Sequence, residues 1–169
     1  MERNSVAAIV RAFEAGDVRY LIAGGLAVVA HGFVRLTADL DIVFDFEPEN
    51  LRRGLAALTS LGYRPRAPVP IERFAEAAER ESWVRDKGMM VLSLLSAAHP
   101  ATEVDVFAEP PFDFEKTHAA RALMEVEPGV RASFVPLDEL LRMKARAGRP
   151  QDLLDIQRLK ALRAEENDG

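Results

Sequence analysis

Tyr20 to Asp45 reads YLIAGGLAVVAHGFVRLTADLDIVFD, and two features inside it, Gly24-Gly25 and Asp39-Leu40-Asp41, set how the rest of the chain is read. The glycine pair follows the short apolar run Tyr20 to Ala23 and opens a second apolar segment, Leu26 to Ala30, that ends at Gly32. This order predicts strand, tight turn and helix. Glycine lacks a Cβ, so the pair tolerates unusual backbone angles and lets a ligand approach closely, while a helix starting there presents unpaired N–H groups. Such a corner suits an anion. From Asp39 to Phe46 the chain alternates, and strand side chains point alternately to opposite faces. Leu40, Ile42, Phe44 and Phe46 therefore share one face, and Asp39, Asp41, Val43 and Asp45 share the other. Two carboxylates side by side repel unless a cation lies between them, and hard divalent cations take such oxygen ligands. A half-buried strand with a solvated acidic face explains the alternation equally well, so the motif must be weighed with its surroundings.

A chain of 169 residues with 49% hydrophobic content has the material for one domain with a genuine core. It contains no cysteine, which excludes disulfides, thiolate metal sites and a cysteine nucleophile. The longest apolar stretch, Leu21 to Val34, holds three glycines and a histidine and falls short of the roughly 20 apolar residues of a membrane span. The N-terminus shows no signal-peptide pattern, so a cytoplasmic location is expected. A net charge of −5 argues against coating nucleic acid by bulk charge.

In chain order, Val6, Ile9, Val10 and Phe13 mark an amphipathic helix over 5–15, stopped by Gly16-Asp17. After the acidic strand, Pro48 and flanking acids start a helix carrying Leu51, Leu55, Leu58 and Leu61. Ile71 to Val84 reads as one charged helix, with Trp83 a packing residue. Met89 to Leu95 is a continuous apolar run and predicts a strand buried on both faces. Thr102 to Ala108 alternates: Val104, Val106 and Ala108 face one way, Glu103, Asp105 and Phe107 the other, so Asp105 repeats the arrangement of Asp39 and Asp41. Phe112 to Ala120 is a loop or short helix. Two strands, 122–126 and 130–135, flank Glu127-Pro128-Gly129, where Pro before Gly favours a type II turn and a hairpin.

Two helices close the chain, Leu137 to Ala147 and Pro150 to about Leu162. Lys144 falls on the stripe of Leu137, Leu140 and Leu141, pointing to the core side or a cleft. Asp152 and Asp155 fall within the stripe of Ile156, Leu159 and Leu162. From Leu137 to Arg163 basic residues outnumber acidic ones seven to four. A snorkelling lysine and acids favoured at a helix start account for part of this. Residues 1–136 form the expected core, 137–163 a helical pair packed on it within one domain overall, and 164–169 a frayed tail.

The stretch GGLAVVAHGFVRLTADLDIVF resembles the signature of the DNA polymerase beta-like nucleotidyltransferase superfamily, a glycine pair followed within a short span by two acids flanking an apolar residue. The closing KARAGRPQDLLDI resembles the end of small bacterial AbiEii-type members. The resemblance implies an α+β fold, a mixed β-sheet flanked by helices with two C-terminal helices, and Mg2+-dependent transfer of NMP from an NTP to a hydroxyl acceptor, with Mn2+ as an alternative metal. It implies that Asp39 and Asp41 bind the metal and that Asp105 completes the site and helps the acceptor hydroxyl lose its proton. Gly24 and Gly25 lie against the triphosphate in this reading. Many members carry serine at the second glycine, whereas Gly25 offers only its backbone N–H. Thr37 and Arg35 are further hydrogen-bond donors, Lys144 is the first candidate for a positive partner of the triphosphate, and Arg149 the second. In-line displacement at the α-phosphorus builds charge on the attacking and leaving oxygens, which explains the need for clustered carboxylates and metal.

The dinucleotide fingerprint and the phosphate loop G-x-x-x-x-G-K-[ST] are absent from the sequence. His31, His99 and His118 lack metal-ligand spacing, and His31 reads as a helix-end residue. The acceptor stays open among an RNA end, a side chain of a partner protein such as a cognate toxin or antitoxin, and a small molecule. The rival readings are a non-catalytic protein that keeps the fold to bind a partner, and an acidic-faced domain that binds Ca2+ or nothing.

Overall fold

The structure is a computed structural model that describes residues 1–168. Its elements are α1 (Arg3–Ala15), β1 (Tyr20–Ala23), α2 (Gly24–Ala30), β2 (Asp39–Phe44), α3 (Pro48–Ser60), β3 (Arg64–Pro65), a 3-10 turn (Ile71–Ala75), α4 (Ala77–Lys87), β4 (Val91–Leu95), β5 (Glu103–Phe107), α5 (Phe114–Ala119), β6 (Ala122–Glu127), β7 (Val130–Phe134), α6 (Leu137–Ala147) and α7 (Pro150–Asp168). The strands form one seven-stranded sheet in the order β3-β4-β5-β2-β1-β7-β6. The central pairs are mixed: β2 runs antiparallel to β1 and parallel to β5, and β1 runs parallel to β7. This is the α+β architecture, a mixed sheet flanked by helices, that the sequence leads one to expect.

Alternation along β2 sets the layers. Leu40, Ile42 and Phe44 are fully buried under α1 and α3, where Phe13 meets the Phe44 ring edge-on at 5.4 Å. α3 starts at Pro48, with Glu47 accepting from the N–H groups of Glu49 and Asn50. Buried Asn50 then pins the helix to the sheet, accepting from Arg19 N at 2.7 Å and donating to the carbonyls of Arg19 and Asp45. Gly54 lets α3 approach β2: a Cβ there would lie 2.5 Å from Phe44 Cε1, on a ring with no room to retreat. Gly54→Ala is therefore expected to lower stability by about 1–3 kcal/mol through overpacking, read as a lower Tm in thermal denaturation.

Three segments differ from the sequence expectation. The run Met89 to Leu95 is not buried on both faces. Only Leu92 and Leu94 are buried in β4, because Ser93 pairs in register with Asp105 and the side of the sheet that carries the acids is partly open. The helix expected over 71–84 breaks at Glu76, where buried Arg80 donates from Nη1 to Phe74 O at 2.7 Å and lays its guanidinium over the Phe46 ring at 4.6 Å. Phe112 to Ala120, read as a loop or short helix, does not depart from that reading: it holds the short helix α5. α7 runs on to Asp168 rather than stopping near Leu162, since Ala161 to Glu166 are good helix formers with no Gly or Pro among them. Gly169, the last residue of the expected frayed tail, lies outside the described residues. The hairpin forms as read, with Gly129 at φ +78°. His31 closes α2 and donates from Nε2 to Val135 O at 2.8 Å, and Trp83 is a buried packing residue. None of the described helices is long and apolar enough to cross a membrane.

Candidate active site

The chain turns from β1 into α2 at Gly24, whose φ of +62° favours glycine. Space requires glycine there as well. Ala23 pairs with Asp41 across β1 and β2, and a Cβ on Gly24 would collide with the Asp41 carboxylate, lying 2.6 Å from its Cγ. Gly25 is confined from the other side. A Cβ there would overlap Thr37 Oγ1, lie 2.9 Å from Thr37 Cβ and sit 3.3 Å from Arg35 Nη1. The two glycines thus touch the three groups that the sequence singled out nearby: Asp41, Thr37 and Arg35.

The acids come from adjacent strands. β2 and β5 run parallel with Asp41 opposite Asp105 and Asp39 opposite Glu103, so the four carboxylates share one face over two neighbouring strands. Neighbouring strands lie roughly 4.8 Å apart, and the two acids of one strand about 6.6 Å. Asp41 records the crowding: burial first, then repulsion from Asp105 and Asp39, raise its pKa to about 6, although Lys144 and Arg149 pull the other way. Glu103 is raised too, by burial against the pull of Arg66, with Asp105 and Asp39 adding repulsion. Asp105 is held by Ser93, whose hydroxyl donates to Oδ1 at 2.6 Å. Among the described residues no three acidic or histidine side chains are gathered into a ready-made cage for one ion. The donor set nonetheless fits a hard divalent cation: oxygen ligands only, from neighbouring backbone positions, with mutual repulsion that a cation would relieve.

The cations on the opposite side form a network. Lys144 points inward, as its stripe indicates, but it is buried, and its Nζ donates to Asp152 Oδ1 and Asp155 Oδ2, each at 2.9 Å. Asp155 also takes a bidentate pair from Arg35, Nε to Oδ1 and Nη2 to Oδ2, both at 2.8 Å. Asp152 accepts from Arg149 twice at Oδ2, from Nε at 2.7 Å and from the backbone N–H at 3.2 Å. Burial would raise both carboxyls, yet Arg149 and Lys144 hold Asp152 below its ordinary value, and Arg35, Lys144 and Gln151 do the same for Asp155. Asp152, Asp155 and Ser93 are the side chains whose parts the sequence did not assign. The signal for the aspartates was present, two acids on the apolar stripe of α7; Ser93 lies in an apolar run and gave none.

A cavity of about 540 Å³ borders this corner without covering the acids: Leu26, Val29 and Phe134 line it, with Arg35 and Thr37 among its walls.

A glycine corner against an aspartate of an adjacent strand, with an acid pair on β2 and a third acid in register on β5, sits in a nucleotidyltransferase fold. No family model matches the chain, and no curated protein does. Among solved structures, the crystal structure of ANT(2")-Ia in complex with adenylyl-2"-tobramycin is similar, with a TM-score of 0.59 and 16% identity over 97% of this chain and 91% of that one. ANT(2")-Ia is a nucleotidyltransferase of the pol beta-like superfamily, and at this identity the likeness shows a shared fold.

Proposed function

We propose that the protein is a nucleotidyltransferase that moves NMP from an NTP to a hydroxyl acceptor and releases pyrophosphate. The observation that carries this reading is the contact of Gly24 with Asp41, with Asp105 in register beside it. Asp39, Asp41 and Asp105 would hold Mg2+, or Mn2+ in its place, which supplies charge neutralisation at the attacking and leaving oxygens. The acceptor oxygen bonds to the α-phosphorus, the bond to pyrophosphate breaks, and the hydroxyl proton passes to Asp105 Oδ2. Ser93 occupies Oδ1 of that carboxylate, which leaves Oδ2 for the proton. The glycine corner with Arg35 and Thr37 faces the triphosphate. Among the cations Arg149 takes precedence over Lys144, because the Lys144 ammonium is already shared by two carboxylates.

Thr37 answers the lack of a serine at position 25. Its hydroxyl lies where a side chain on residue 25 would go, so it supplies from the loop before β2 the donor that Gly25 lacks. Thr37→Ala is expected to raise the KM for NTP by roughly tenfold, the loss of one hydrogen bond to a charged group. Gly25→Ser is expected to worsen affinity in the native protein, where its Cβ collides with Thr37 Oγ1, and to give no rescue in the Thr37→Ala background, where the Cβ that alanine keeps still lies 2.9 Å away. Steady-state kinetics of the four variants decide the point.

KARAGRPQDLLDI supports an AbiEii-type, toxin–antitoxin reading, in which the acceptor is an RNA end or a partner protein, and the similar fold of ANT(2")-Ia keeps a small-molecule acceptor in play. Transfer from each labelled NTP with Mg2+ to RNA, to co-purified proteins and to hydroxyl-rich small molecules tests the function and separates these acceptors. A second reading, association without transfer, is favoured by the lack of a preformed three-acid cage among the described residues. It is supported if no acceptor is labelled.

A further inference from the structure

We propose that Asp152 is a positioning residue that aims the Arg149 guanidinium at the phosphates of the bound nucleotide; this rests on the nucleotidyltransferase reading of the site. The geometry separates three cations that look alike in sequence. Lys144 is spent, its ammonium buried between Asp152 and Asp155. Arg35 is locked by two parallel hydrogen bonds to Asp155. Arg149 is different: its side chain is 74% exposed, only its Nε is taken, and among the described residues its two Nη groups make no hydrogen bond to the protein.

Those Nη groups are free for a ligand, and Asp152 fixes where they point. One oxygen, Oδ2, accepts from both the backbone N–H and the Nε of Arg149, so the start of α7 and the root of the guanidinium are tied to the same atom. A planar guanidinium fixed through Nε has its remaining fork directed away from that anchor, a geometry that matches phosphate. The other oxygen, Oδ1, is held by Lys144, so Asp152 cannot swing to follow Arg149. Lys144 thus acts on the site through Asp152 rather than by touching phosphate. The charge count agrees. Three cations share two carboxylates, which leaves one positive charge in excess, and Arg149 carries it at the surface. Fixing a long side chain before the ligand arrives removes an ordering cost from binding.

The test is a double-mutant cycle read by calorimetric titration with inorganic triphosphate and with each NTP, all with Mg2+. Asp152→Asn keeps the shape and an oxygen for Lys144 but cannot accept from Arg149 at the amide nitrogen. Arg149→Ala and Asp152→Asn are each expected to weaken triphosphate binding roughly tenfold, and the double variant no further than Arg149→Ala alone. In turnover the loss should appear in KM for NTP more than in kcat. Equal losses that multiply in the double variant would mean that Asp152 serves only the fold, and an Asp152→Asn protein that binds as tightly as the native one would overturn the proposal outright. A native protein that binds neither triphosphate nor any NTP would instead remove the nucleotidyltransferase reading on which it rests.

Discussion

Asp41→Asn is expected to abolish transfer and, in the metal-free protein, to raise the melting temperature. The two effects have one cause. Burial and the neighbouring carboxylates of Asp105 and Asp39 raise the Asp41 pKa to about 6, so at neutral pH the folded state holds a charge that its surroundings disfavour. The sign follows from proton linkage: between the ordinary carboxyl value and about 6 the folded state binds more protons than the unfolded one, and stability falls as pH rises through that window. Above pH 6 the full cost applies, on the order of 1–3 kcal/mol for a shift of this size. Asparagine removes it. Differential scanning calorimetry at pH 7.5 in EDTA should show the variant melting higher than the native protein, and at pH 4 the difference should shrink. With Mg2+ the order should narrow, because the cation stabilises only the protein that retains the carboxylate. An acidic residue on a merely solvated face would show neither the gain in stability nor its dependence on pH.

The second large effect is at Gly24. Alanine there faces two penalties, a backbone at φ +62° and a Cβ driven into the Asp41 carboxylate. The first costs about 1 kcal/mol or somewhat more. The second cannot be relieved without moving Asp41 or the turn. Since misplacing a reacting group by about 1 Å can cost roughly a hundredfold in rate, Gly24→Ala is expected to lose at least that much transfer along with stability. Transfer assays and thermal melts on one preparation separate the two losses. If the variant turns over at the native rate, the glycine corner does not border the reacting groups.

Both effects concern residues that could be read from the chain itself, because they lie within one short stretch whose alternation assigns its own faces. Leu40, Ile42 and Phe44 are fully buried while Asp39 and Asp41 are half-buried, as alternation implies in a partly covered strand, although Val43 on the acid face is covered as well. The inward direction of Lys144 was legible for the same reason, from helical phase. Its partners were not. Asp152 and Asp155 reach it across the turn between α6 and α7, and Arg35 joins them from a loop 120 residues away, so no periodicity within a window carries that information. The Met89 to Leu95 run shows the opposite difficulty. Continuous apolar sequence has no phase, and only the pairing of Ser93 with Asp105 reveals that one face of β4 looks toward the acids. The break at Glu76 likewise depends on Arg80 reaching back to Phe74 O, a contact that no propensity scale contains.

Gly25 sits in a space that the Thr37 hydroxyl already fills. Taken alone, its missing side chain implies a weaker phosphate corner. With Thr37 Oγ1 in that space, the glycine becomes the condition for bringing a hydroxyl in from the loop, and a serine is excluded by the neighbour that replaces it.

The central claim is that Asp39, Asp41 and Asp105 form a cation-dependent nucleotide site. Calorimetric titration of each NTP into the native protein and into Asp41→Asn, with Mg2+ and again with EDTA, tests it without knowledge of the acceptor. The expected result is binding of an NTP by the native protein that requires Mg2+ and is lost in the variant. Binding that is indifferent to both Mg2+ and Asp41, or no binding of any NTP by the native protein, would contradict it.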